Sequence, residues 1–227
     1  MIWLILIGTF ALSLMASGYL KSVFAKTSKI PIASGLTGAQ TAARILQWAG
    51  ITDVQIIPGE GFLGDHYNPL NKTLVLSPDN FTGSSAAHVG VAAHECGHAL
   101  QHQQHYLPLQ IRMASVYATN FASQGLTVVW IASAFLNLIA PYTALWLITL
   151  CFGVIMFFNL ITLPVEYDAS ARAKKVLLQL GIVQPGPESA AVSRTLNAAG
   201  LTYVAAFVGT LFQFLYYFMI LSGRSRN

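Results

Sequence analysis

Charge is the scarcest commodity in this sequence. Asp, Glu, Lys and Arg make up 9% of its 227 residues, against about 25% in an ordinary soluble domain. So few charges cannot clothe the surface of a free globular protein. The 55% apolar content excludes a disordered chain as well. Cysteine is nearly absent. Cys96 and Cys151 are the only two, which excludes a disulfide-rich secreted scaffold, and no disulfide is expected between them. The 8 acidic residues fall short of the 12 Lys and Arg, leaving a net charge of +4. That excess could suggest a nucleic-acid partner, but the placement of the charges explains it otherwise.

Asp, Glu, Lys, Arg and His are missing from three long stretches. Residues 1–20 have none, and Ile2 to Leu20 is close to the ~20 residues that span a bilayer as helix. It lacks the basic start of a signal peptide and is read as a retained span. No Asp, Glu, Lys, Arg or His lies between Arg112 and Glu166. Pro141 breaks that stretch near its middle, giving a helical hairpin of Asn120–Leu138 and Tyr142–Leu163. The third stretch, between Arg194 and Arg224, holds the aromatic-rich run Leu201–Leu221. The fold expected is therefore a mainly α membrane protein with four transmembrane helices. Its segments are a span at 1–20, a domain at 21–115, a hairpin at 116–163, a polar segment at 164–199 and a last span at 200–222.

Lys and Arg near span ends set orientation. Lys21, Lys26, Lys29, Arg112, Arg172, Lys174, Lys175 and Arg194 fall on one side, Arg224 and Arg226 on the other. The first group should face the cytoplasm. Topology then accounts for the basic excess, and no nucleic-acid partner is expected.

Within 21–115, Thr37-Gly38-Ala39-Gln40 opens a helical pattern with Ala42, Ile45, Leu46 and Ala49 on one face and Gly50 as its stop. Val54, Ile56 and Ile57 suggest a strand, Pro58–Gly61 a turn, and Thr73–Ser77 a second strand. A helix of about Ser85–His105 follows, ended by Pro108.

That helix carries His94-Glu95-Cys96-Gly97-His98, an H-E-x-x-H pattern. One turn apart, His94 and His98 share a face and can reach one Zn²⁺. Glu95 sits ~100° round the helix, placed to act as general base on the attacking water. Cys96, two residues from each histidine, faces away and reads as a core thiol.

A third ligand is needed. His102 lies ~12 Å along the axis from His94, too far for one ion. The metzincin pattern would require Gly at Gln101 and His at Gln104, and has neither. His102 and His105 therefore read as polar residues at the helix end. Glu166 is the best candidate. The hairpin returns the chain to the side it left, so Glu166 shares a side with His94 and His98. Pro164 reads as the entry to a new helix with Glu166 in its first turn. Asp168 points elsewhere on that helix and could support the ligands.

Four stretches resemble one known family. They are Asp65–Pro69, Val91–His102, Val165–Ser170 and Leu196–Ala206. They are similar to the bacterial membrane zinc metallopeptidases called YugP-like, or neutral zinc metallopeptidase type 2. More distantly, the chain resembles the HtpX and CAAX-processing membrane gluzincins. The resemblance implies a membrane-embedded, zinc-dependent endopeptidase with a zincin-like α+β domain. In the distant relatives the glutamate ligand stands in an E-x-x-x-D context. Here the fifth position is Ser170.

The function expected is hydrolysis of peptide bonds at the cytoplasmic face of a bacterial plasma membrane. The protein would be multi-pass, with Zn²⁺ as cofactor and a peptide or protein substrate, itself membrane-associated. Tyr67, Tyr167, His66 and His102 are all candidates to donate to the developing oxyanion. The strand at Thr73–Ser77 could bind substrate by edge pairing. The alternative is a catalytically silent, metal-stabilised membrane scaffold or chaperone-like partner, against which the intact Glu95 argues. The polar run Gln101–His105 argues against zinc inside the bilayer. The absence of Asp, Glu, Lys, Arg and His from the spans argues against an ion pathway.

Overall fold

The protein is described here by a computed structural model covering residues 2–60 and 64–224. Gly61, at the end of the expected turn, and Arg226, in the tail, lie outside the described residues. The order of elements is α1 (Ile2–Thr27), α2 (Gly38–Trp48), β1 (Gln55–Pro58), β2 (His66–Asn68), β3 (Thr73–Leu76), α3 (Pro78–Thr82), α4 (Ala86–Gln103), α5 (Leu107–Ala134), α6 (Pro141–Gln179) and α7 (Pro187–Arg224). Two compact units emerge. One gathers residues 1–16, 110–163 and 202–227, the other 17–109 and 164–201.

The first unit is helical. Among the described residues, α1, α6 and α7 are long and apolar enough to cross a membrane. The second of the four expected spans falls in α5, 28 residues long. Ser115, Thr119, Asn120, Ser123 and Gln124 dilute its hydropathy, and it is not among those three. Pro141 begins α6, where its missing N–H costs nothing. Val129 of α5 is buried with Ala144 and Ile148 of α6. The rings of Phe152 and Tyr217 stack at 5.4 Å, and Asn159 Nδ2 donates to Thr210 Oγ1 at 3.1 Å. Trp3, Phe121 and Phe135 are more than two-thirds exposed, an unfavourable surface in water and a suitable one in hydrocarbon.

The second unit has a conventional core. Thr37 caps α2 in a reciprocal capping box with Gln40. Gly50, at φ 68°, supplies the left-handed residue that ends the helix. Between them Ala42, Ile45 and Leu46 bury against α4 residues including Val89, Ala92 and Cys96.

The sheet has the order β1-β3-β2. β1 runs parallel to β3 with Ile56 opposite Leu74, and β2 runs antiparallel to it with Tyr67 opposite Leu74. The expected use of Thr73–Ser77 as a substrate-pairing edge is thereby corrected. β3 is the central strand, its two sides already paired, so the free edges belong to β1 and β2. β2 is three residues long, too short for alternation to reveal it in the sequence. The short α3 is likewise unanticipated. Asp65 ties this region together, accepting from Ser77 N at 2.7 Å and from Asn80 Nδ2 at 2.8 Å.

A second correction concerns Pro164, which lies inside α6 and does not begin a helix. α6 is 39 residues long, about 58 Å at ~1.5 Å per residue, enough to cross a ~30 Å hydrocarbon core and continue beyond it. Proline removes one helical hydrogen bond, but buried Val165, Ala169, Ala173, Val176 and Leu177 hold the helix on its course after it. Packing outweighs one lost donor.

Candidate metal centre

α4 and α6 meet where side chains are smallest. A Cβ added to Gly97 would stand 2.5 Å from the Ala169 carbonyl oxygen, closer than any real contact. Glycine here lets the two backbones touch. His94, one turn before Gly97 on α4, and His98, just after it, then face Glu166, one turn before Ala169 on α6.

The three side chains converge. His94 Nε2 lies 3.1 Å and His98 Nε2 3.6 Å from the same Glu166 oxygen, Oε2. The two imidazoles stand edge to face with centroids 4.8 Å apart. One ligand atom from each of the three residues lies within 4.8 Å of the other two. Glu166 is 2% exposed. Burial by itself would raise its carboxyl, but hydrogen bonds from His94 and His98 outweigh that and hold it below the usual carboxylate range. Two imidazole nitrogens and one carboxylate oxygen, converging in a buried pocket with no fourth protein donor among the described residues, form a donor set that fits a catalytic zinc ion.

Each histidine is also held from behind. Ser170 Oγ lies 3.1 Å from His94 Nδ1, and Gln101 Oε1 lies 3.0 Å from His98 Nδ1. Gln101 is fully buried. Its Nε2 donates to the Val165 carbonyl and to Asp168 Oδ2, both at 2.8 Å. Asp168, expected to point elsewhere, thus reaches His98 through Gln101, and Arg172 pairs with the same oxygen, Oδ2. Gln101 was missed as a site residue; its spacing of three from His98 on one helix was the available signal.

Glu95 is 7% exposed and follows His94 on α4. Glu95, Ala99 and His102 recur at i, i+4 and i+7 and share a helix face. Toward the end of that face Ala99 and His102, with Tyr67 and Lys72, line a cavity of about 360 Å³ that Glu95 itself does not line. Tyr67 Oη lies 2.9 Å from His102 Nδ1, joining two residues expected separately. Burial raises the Tyr67 hydroxyl above its ordinary value, with Asp53 adding to the effect. His66 Nδ1 is 2.8 Å from the Gly64 carbonyl. Tyr167 is half exposed, its ring against Gly200. Cys96 is fully buried, and burial pushes its thiol up, as fits a core residue.

Comparison with known proteins agrees with this chemistry. Residues 2–222 match a family model described as "Putative neutral zinc metallopeptidase". The chain is 40% identical over 222 residues to a Bacillus subtilis (strain 168) protein named "Putative membrane protease YugP", covering 97% of each chain. No solved structure matches.

Proposed function

Because the chain belongs to the neutral zinc metallopeptidase family, we propose that it is a membrane-bound zinc endopeptidase that hydrolyses peptide bonds at the cytoplasmic face of the plasma membrane. The observation that carries this reading is the convergence of His94, His98 and Glu166 with Glu95 beside them. His94, His98 and Glu166 would hold the zinc ion. Bound there, zinc would acidify a water molecule and polarise the scissile carbonyl.

The protein's own residues do the rest. Glu95 takes a proton from the attacking water and delivers it to the departing amine nitrogen. Tyr67 and His102, joined to each other on the Glu95 side of α4, are the pair best placed to donate to the carbonyl oxygen as charge develops. The cavity beside them would take a substrate side chain. Here α5 acts as the fourth span, beside α1, α6 and α7. The excess of Lys and Arg at 21–29 and 172–194 favours a cytoplasmic site. A substrate that is itself membrane-associated would reach such a site with least loss of freedom.

Glu95→Gln tests the reading. The amide keeps the shape of the side chain and cannot accept the proton. Zinc content should stay at one per chain while casein hydrolysis falls by about 10²–10⁴-fold. Undiminished hydrolysis by the zinc-loaded variant would sink the peptidase mechanism. Zinc-loaded wild type that cleaves nothing would favour a metal-stabilised scaffold.

A further inference from the structure

We propose that α1, α6 and α7 form a docking groove for the transmembrane helix of a substrate protein, a helix carrying an Asn or Gln side chain near mid-membrane. Calling the occupant a substrate rests on the peptidase reading above. The groove itself rests on side chains of the first unit.

Within that unit a cavity of about 620 Å³ is lined by α1, α7 and Asn159 of α6. α7 turns small residues to it, Ala205, Ala206 and Gly209. Gly209 brings α7 against α1: a Cβ added there would meet Thr9 Cβ at 3.6 Å. Asn159 Nδ2 donates to Thr210 Oγ1 at 3.1 Å and joins α6 to α7. Trp3 and Phe10 of α1 complete an apolar lining, and both are largely exposed. A concave apolar surface of this kind, with a few polar groups set in it, is suited to holding another molecule.

The polar groups say what that molecule is. Hydroxyls on a helix can satisfy themselves: Thr9 donates to the Leu6 carbonyl at 3.2 Å and Thr210 to the Ala206 carbonyl at 3.0 Å. The Gln213 amide does not. No described residue hydrogen-bonds either of its ends, and among the described residues the Asn159 oxygen is likewise unused. Gln213 lies two residues past the centre of the Leu201–Leu221 run, at a depth where no water stands in for a missing partner. An acyl chain offers neither donor nor acceptor. A two-fold pair of copies fails on shape, because it sets one surface against itself, and two hollows do not fill each other. A single apolar helix fits on both counts. The small residues of α7 let its backbone approach, and one amide side chain on it can donate to Gln213 and accept from it at once.

The test uses the full-length protein in phosphatidylcholine liposomes. Energy transfer between a dye on the protein and a dye on a synthetic polyleucine helix of about 20 residues reports binding. The helices are kept dilute in lipid, so that they do not pair with one another. A helix with one central Asn should bind about 3–20-fold more tightly than the all-Leu helix. Moving the Asn to the helix end should remove that advantage, and this comparison needs only wild-type protein. Gln213→Leu should remove it too. With a casein segment fused to each helix, the central-Asn fusion should be cleaved faster by a similar factor at limiting concentration. Equal binding of the central-Asn and all-Leu helices overturns the proposal and leaves the groove to lipid. So does a preference that survives in a folded Gln213→Leu protein. Association between protein copies that Gln213→Leu abolishes would give the groove to a second copy instead. Tighter binding with equal cleavage overturns the substrate assignment. Wild type that cleaves no casein, free or fused, removes the peptidase reading, while the binding comparison still judges the groove.

Discussion

Gly97 of α4 lies so close to Ala169 of α6 that a methyl group at Gly97 would stand 2.5 Å from the Ala169 carbonyl oxygen. The obstacle is backbone, which cannot swing aside as a side chain end can. Gly97→Ala should therefore force α4 and α6 apart, at a cost of about 1–3 kcal/mol from overpacking. His94 and His98 would withdraw from Glu166, so zinc occupancy should fall with stability. Thermal unfolding and zinc per chain, measured on the same preparation, check this. A variant with wild-type melting temperature and full zinc would show that the helices do not meet there.

The proposed ligands make a graded prediction. Glu166→Ala, His94→Ala and His98→Ala should each lower zinc occupancy sharply. Cys96→Ala should not, because its thiol is buried toward the Ala42 carbonyl on α2. Zinc analysis of variants matched by size-exclusion profile separates these groups. Full zinc in Glu166→Ala would move the third ligand elsewhere.

Metal removal should loosen the fold as well as stop the chemistry. The three proposed ligands lie on two helices, so a bound ion would tie α4 to α6, and its binding energy would add to folding stability. Chelation should lower the melting temperature of wild type and leave that of Glu166→Ala nearly unmoved. Equal shifts in both proteins would argue that the ion sits in another place.

His88 should make the second unit sensitive to mild acid. Burial lowers its imidazole below the ordinary value, and Asp79 and Asp65 offset only part of that. Its ring meets Phe24 edge to face at 5.7 Å, and its Nδ1 lies 2.9 Å from Ser85 Oγ. The unfolded chain takes up the proton near pH 6.5, whereas the folded protein resists it. The contribution of His88 to stability is therefore present above pH 6.5 and lost as pH falls through the depressed folded value. Between pH 8 and pH 5, zinc-free wild type should lose more melting temperature than zinc-free His88→Gln. Parallel pH profiles would contradict the assignment.

Orientation can be tested with single cysteines at Lys29 and Lys175, both exposed, in a background lacking Cys96 and Cys151. In intact cells both should resist a membrane-impermeant thiol reagent and react after the membrane is opened. Labelling of both from outside would place the metal centre on the opposite face.

Much of the chemistry was written in local order. The spacing of His94 and His98 places them on one helical face wherever that helix sits. The Thr37–Gln40 capping box needs only four neighbouring residues, and the apolar runs announce α1, α6 and α7 by length. These are short-range matters, governed by helix period and side-chain type.

Other features were decided only when distant segments met. Pro164 looked like a helix start because a proline's local cost is visible in sequence, while the buried contacts of Val165, Ala169 and Ala173 that outweigh it are not. β3 became the central strand because β1 and β2 closed on it from both sides, a pairing that four residues of alternation cannot specify. Asp168 faces away from Glu166 along its own helix, yet it is joined to His98 by a glutamine 67 residues away in sequence. Hydrogen-bond direction in that chain depends on which groups accept and which donate across the contact between α4 and α6. The sequence determined which side chains could bind a metal. The tertiary structure decided which nitrogen of His98 faces it.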